Sequence, residues 1–297
     1  MCLAEGHRVL GAEKPVLFPC GRDELVGIVS LPELVESDLG VLIVVGGPQY
    51  RVGSHRQFVL LARKLADNGV ATMRFDYRGM GDATGTERGF AGVDADVRAA
   101  VDEFLRAVPG LRRVALWALC DGASAACLYA PSDPRVAGVM LLNPWVRTEI
   151  GAAKTMLEHH YLKRLLDRRF WRKLVTGQVA IGHSARGLAR AIASALSRRG
   201  VDDGTPSPLP DRMLGCLASS GVPFAIGLSG RDYVAREFDG ALAQPRWREL
   251  AASPRCVGIE RWDSADHTFS RRHCREAVER ASIAWINAFR TARPVRG

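Results

Sequence analysis

Residues 41–45, Val-Leu-Ile-Val-Val, run without a polar side chain and are mostly β-branched. Such a run predicts a central strand covered on both faces. Similar apolar runs recur at residues 70–75, 114–117, 136–142, 223–228 and 257–262, each ending at small or polar residues. Between the runs the period changes. Phe58, Leu61 and Leu65 predict a helix over residues 58–67, stopped by Asn68-Gly69. Residues 94–107 predict a second helix. Residues 273–290, with Val278, Ile283, Trp285, Ile286 and Phe289, predict a closing one. At the start of the chain, residues 15–19 and 25–31 read as strands of an antiparallel hairpin around Gly21-Arg22-Asp23-Glu24. Strands alternating with helices imply an α/β fold with a mostly parallel central sheet flanked by helices. Ligands then gather outside the carboxyl ends of the strands.

The alternation breaks after residue 147. Leu162, Leu165, Leu166, Phe170 and Leu174 form an apolar stripe, bordered by Lys163, Arg164, Arg168, Arg169, Arg172 and Lys173. Residues 188–196 are Ala-rich and read as helix, and residues 197–211 as an exposed loop. The expected organisation is a core of residues 1–147 and 212–297 with a helical lid inserted at 148–211. The stripe packs such a lid on the core with its basic face in solvent. A sharper alternative is docking of a membrane surface or of an acidic carrier, such as acyl carrier protein or coenzyme A.

Composition narrows the class. Of 297 residues, 47% are hydrophobic and 25% charged, which is ordinary for a soluble globular protein. No apolar run reaches the roughly 18 residues of a membrane span. The first residues, MCLAEGHRVLGAEKP, lack the basic start and apolar core of a signal peptide. Seven cysteines, an odd number without a C-x-x-C pair, argue for reduced thiols and a cytoplasmic setting. The net charge of +9 comes largely from arginine, but no aromatic–basic interleaving points to nucleic acid. No motif calls for a cofactor or a metal.

The candidate chemistry centres on residues 114–126, VALWALCDGASAA. A buried strand meets a slim helix through Ala118-Leu119-Cys120-Asp121-Gly122. This is the small-x-nucleophile-x-small spacing of a nucleophile elbow, with cysteine at the nucleophile. The turn is so tight that bulk two residues to either side would collide. It also sets the sulfur at a helix N-terminus, where the dipole favours a thiolate. Further along, Asp232 follows the strand at 223–228 and His267 follows the strand at 257–262. The order Cys120, Asp232, His267 is that of nucleophile, acid and base. His267 would take the thiol proton, and Asp232 would orient the ring, with Asp263 or Asp266 as alternative acids. An oxyanion needs two backbone N–H donors. Asp121 supplies one, and the Gly46-Gly47-Pro48-Gln49 loop the other. Pro48 has no N–H, so Gly47 is expected, with Gln49 behind it. Asp76, Arg78 and Asp82 read as structural residues of a strand-end turn, and His55 as part of a helix start.

Together, Val45-Gly46-Gly47-Pro48, residues 75–82 (FDYRGMGD), the Cys120 elbow, Gly230-Arg231-Asp232 and residues 266–270 (DHTFS) resemble the α/β-hydrolase superfamily over nearly the whole chain. Residues 46–56 (GGPQYRVGSHR) with Leu119-Cys120-Asp121-Gly122 are similar to hydrolase 1 of the exosortase A-associated type, a group linked to bacterial exopolysaccharide gene clusters. Two departures stand out. The usual His-Gly of the oxyanion loop is absent, and cysteine replaces serine, as in dienelactone-type hydrolases. The expected activity is hydrolysis of an acyl ester or thioester, small or carrier-bound, through a thioester on Cys120. If an amine or hydroxyl replaces water, the same intermediate makes the protein an acyltransferase. A non-catalytic binding protein on a hydrolase scaffold is the alternative of a different class.

Overall fold

The computed structural model describes residues 12–35, 37–47, 49–146 and 207–291. Eight strands form one sheet in the order β1-β2-β4-β3-β5-β6-β7-β8. They are β1 (Glu13–Cys20), β2 (Asp23–Ser30), β3 (Leu39–Val44), β4 (Thr72–Phe75), β5 (Arg113–Leu119), β6 (Val136–Leu142), β7 (Phe224–Ser229) and β8 (Cys256–Trp262). The first two pair as the predicted hairpin around a left-handed Gly21, and β2 runs antiparallel to β4. The remaining neighbours are parallel. This is the α/β-hydrolase fold.

The continuous apolar runs are the inner strands for a simple reason. Every residue of β3, β4 and β7 is buried, so most positions are apolar and the polar ones are bonded: Thr72 to Val70 O, Arg74 to Glu13 and the Ser229 N–H to Asn143. β1 lies at the edge and alternates instead, burying Val16, Phe18 and Cys20 while its other side chains face out. Pro15 and Pro19 sit on this strand, where missing N–H donors are tolerated.

The described helices are α1 (Gln57–Ala66), α2 (Asp94–Ala107), α3 (Asp121–Tyr129), α4 (Leu209–Ser220), α5 (Tyr233–Leu242), α6 (Pro245–Ala251) and α7 (Arg272–Thr291). α1 and α7 pack together on one face of the sheet, and α2 and α3 on the other. Trp117 of β5 reaches the first pair: its ring meets Phe58 edge-on at 5.9 Å, and its Nε1 donates to Ser282 Oγ at 2.9 Å. The boundaries of α2 and β6 coincide with those predicted, and most other elements shift by one or two residues. Three helices depart further from expectation. α5 and α6 fill residues for which the hydrophobic pattern predicts no element, and α4 begins inside the expected loop at 197–211.

The chain divides into two compact units, Met1–Trp145 with Arg212–Gly297, and Val146–Asp211. The first holds the sheet. The expected lid, with its apolar stripe and basic border, falls on residues 148–206 and so outside the described residues, apart from 207–211. Among the described residues no helix is long and apolar enough to cross a membrane. The six cysteines among them are all free.

Candidate active site

β5 ends at Leu119, and α3 begins at Asp121. Cys120 makes the whole turn between them, at φ 62° and ψ −130°, a strained backbone for any side chain. Its N–H donates to Leu142 O at 2.9 Å, and its carbonyl accepts from Trp145 N at 3.1 Å. These bonds to the end of β6 and the chain beyond it hold the strained residue in place. Ser124 lies deeper in α3, buried, with its hydroxyl donating to Trp145 O.

The loop after β3 lies directly against this turn. A Cβ on Gly46 would sit 2.0 Å from Leu119 O and 2.8 Å from Gly122 N, and one on Gly122 would sit 2.7 Å from Val45 O. Neither neighbour is a side chain that can swing away. We expect Gly46→Ala to lower stability by about 3 kcal/mol in urea unfolding, the upper end for overpacking. Turnover should fall roughly a hundredfold, because the loop can relax only by moving off the elbow.

Asp232 and His267 meet across the ends of β7 and β8. His267 Nδ1 lies 2.7 Å from Asp232 Oδ2. The bond to Asp232 comes first, and the nearby Cys120 side chain second, among the causes that push the imidazole up to about 10, against the opposing effect of burial. Asp232 also caps α5, accepting from Val234 N at 3.2 Å and Ala235 N at 3.3 Å. Asp266, one of the alternative acids, is turned to Ser270, whose N–H donates to it at 2.9 Å.

The hydrophobic pattern gives no hint of Asn143. This residue is fully buried at the end of β6, in the left-handed region at φ 45°. Its amide donates to Ser229 Oγ at 2.9 Å and to His267 O at 3.1 Å, and its Oδ1 accepts from Ser229 N at 2.8 Å. One side chain thus ties the ends of β6 and β7 to the loop that carries His267. The only sequence signal is an asparagine, tolerant of left-handed backbone, directly after a buried strand. Asn143→Ala leaves a buried N–H and a carbonyl unpaired, so a loss of about 2–4 kcal/mol is expected in denaturant titration. The kcat for p-nitrophenyl acetate should drop about tenfold or more while KM changes little, because the ring and not the substrate loses its anchor.

The expected oxyanion donors show a feature the sequence did not suggest. The N–H of Gly47 donates to Asp121 Oδ1. The backbone amides of Gly122 and of Asp121 itself also act on this carboxylate. Burial pushes its pKa up, and these amides pull against that rise. The Gln49 N–H is also spoken for, donating to Gly47 O at 2.8 Å.

The residues expected to be structural behave so. Asp76 is buried and accepts from Arg51 N at 2.6 Å, from the Arg51 guanidinium and from Asp82 N at 3.1 Å. Arg78 holds Asp96 with two parallel bonds, Nε to Oδ1 at 3.0 Å and Nη2 to Oδ2 at 2.7 Å. His55 is exposed in the 3-10 turn Ser54–Arg56 that leads into α1. Among the described residues no group of three or more His, Cys, Asp or Glu side chains is arranged to hold a metal ion.

Comparison with known proteins places the fold and the family. Residues 40–195, just over half of the 297-residue chain, match the family model described as serine aminopeptidase, S33. The match spans the glycine loop and the elbow and ends before Asp232. No curated protein matches the chain. Among solved structures, an esterase of Pyrococcus furiosus is similar over 94% of this chain and 91% of its own, with a TM-score of 0.61 at 14% identity. The α/β hydrolase GrgF from a Penicillium species covers 95% and 100%, with a TM-score of 0.61 at 17% identity. Est1E of Butyrivibrio proteoclasticus, solved with ferulic acid bound, covers 92% and 98%, with a TM-score of 0.57 at 14% identity. At these identities the structures speak for the fold, and the family model speaks for descent. The chain belongs to the serine aminopeptidase S33 family of the α/β-hydrolase superfamily and is an α/β-hydrolase-fold enzyme.

Proposed function

We propose that the protein is a cysteine-dependent acyl ester or thioester hydrolase working through a thioester on Cys120. The observation that carries this reading is the run of contacts from Cys120 through the His267 imidazole to the Asp232 carboxylate. His267 holds the proton that would otherwise sit on sulfur, and Asp232 stabilises the charged ring. The Cys120 thiolate attacks the acyl carbonyl, and its oxygen becomes an oxyanion facing the amides of Asp121 and Gly47. On collapse the C–O or C–S bond to the leaving group breaks, and the departing alkoxide or thiolate takes the proton from His267. The neutral imidazole then accepts a proton from water as that water attacks the thioester. The carboxylic acid leaves, and the thiolate–imidazolium pair is restored. The loop at residues 46–56 and the Leu119-Cys120-Asp121-Gly122 elbow support placing the chain with the exosortase A-associated hydrolase 1 type.

Intact mass after exposure to a panel of acyl esters and acyl thioesters tests this reading. The expected result is a mass gain equal to one acyl group, located on Cys120 and absent in Cys120→Ala. A gain on another residue, or none with any donor, overturns it. Repeating the reaction with an added amine separates hydrolysis from transfer, since a transferase yields the amide in place of the free acid.

A further inference from the structure

One of the two amides expected to meet the oxyanion, that of Gly47, is occupied by the carboxylate of Asp121. An oxyanion and this carboxylate are both anions and both seek the Gly47 N–H. They cannot share it, because a single N–H makes one strong hydrogen bond. For the site to serve an acyl carbonyl, Asp121 has to give up that donor. A half-buried carboxylate that lets go of this amide loses that hydrogen bond at a free-energy cost, so the move is eased by another donor within reach.

Such a donor stands beside it. Val45, Gly47, Tyr77, Arg78, Asp121 and Gly122 line one cavity of about 170 Å³. That is room for a side chain to change rotamer. Tyr77 is only 6% exposed, and its hydroxyl is buried with no hydrogen-bond partner. Buried hydroxyls are rarely left so. Burial keeps this phenol protonated, and the negative charge of Asp121 acts in the same direction, so the group is a donor and lies within the electrostatic reach of the carboxylate. Two cations, Arg78 and Arg88, line the same cavity, and Arg78 is already committed to Asp96.

We propose that Asp121 is a positioning residue that occupies the Gly47 amide in the resting enzyme and yields it to the reacting carbonyl oxygen by moving onto the Tyr77 hydroxyl. The exchange conserves hydrogen bonds. Gly47 N–H passes from carboxylate to substrate oxygen, and the carboxylate passes from Gly47 N–H to Tyr77 O–H. This inference rests on the reading of Cys120 as the residue acylated.

The test is a double-mutant cycle on acylation by p-nitrophenyl acetate, followed by release of p-nitrophenolate and by the mass of Cys120. In the native background Tyr77→Phe is expected to slow acylation about tenfold, whereas in Asp121→Ala it changes the rate less than about twofold, because no carboxylate remains to be received. Asp121→Ala supplies the second background, and its own acylation rate is the reference against which Tyr77→Phe is read there. Asp121→Leu, close in shape but without an acceptor, carries the cycle if the alanine variant does not fold. Tyr77→Phe removes an unpartnered hydroxyl and so leaves the Tm equal or higher, which separates the effect from a packing defect. In NMR spectra the Gly47 amide proton moves upfield in Asp121→Ala. Equal losses from Tyr77→Phe in both backgrounds, or an unmoved Gly47 amide proton, would each overturn the proposal while Cys120 is still acylated. Absence of acyl mass on native Cys120 overturns the reading of the nucleophile itself, and this inference with it.

Discussion

Cys120→Ala is expected to lower turnover of a reactive ester by a factor on the order of 10⁴, measured as kcat/KM at neutral pH. The size follows from what remains. Without sulfur there is no acyl-enzyme, so the reaction falls back on water held in a site whose ring and amides are intact. Substrate affinity should change little, since Cys120 is one half-buried residue at the rim of the sheet. The fold should tolerate the change. Alanine and cysteine suffer the same strain at φ 62°, and the bonds that hold the turn are made by the backbone of residue 120. A variant that folds with the native Tm yet keeps more than about a tenth of the native rate would place the nucleophile elsewhere.

His267→Gln is expected to cost about 10³-fold or more in kcat. Glutamine fills similar space but neither carries the proton nor returns it to the leaving group. A second consequence concerns stability. The folded imidazole is raised to about 10 from an ordinary 6.5, chiefly by Asp232 and then by Cys120. The folded state thus binds this proton more tightly than the unfolded chain does. The resulting stabilisation is fully present below about pH 6.5 and is lost as pH climbs through 10. Thermal melts of the native and Gln variants should therefore differ most in the acidic half of that range and converge near its upper end. A gap that widens with rising pH would mean that the ring is neutral at rest.

Much of the scaffold was legible because its inner strands are buried on both faces, which favours apolar, often β-branched residues. The candidate site residues could be picked out for another reason: Cys120, Asp232 and His267 each stand just past a strand end in a recognisable local context. What escaped was everything that depends on distant partners. The Asp121 side chain starts a helix in the sequence, but the Gly47 amide it meets lies 74 positions earlier. Asn143 matters because it bonds residues 86 and 124 positions away. The α5 helix was missed although Val234, Phe238, Ala241 and Leu242 fall on one face. Its signal for a start was Asp232, which the hydrophobic pattern and the triad order together offered as an acid alone.

That double employment of Asp232 has a consequence for how the protein can change. The carboxylate that steadies the imidazolium also anchors the first turn of α5. On the proposed chemistry, drift at this position is penalised twice, once in rate and once in folding, so an engineer cannot retune the ring through residue 232 without loosening the helix behind it. Glutamate would be too long to serve both clients, and asparagine would keep the helix while surrendering the charge. Attempts to widen the pH range of the enzyme therefore have more freedom around the sulfur end of the relay than around the acid end.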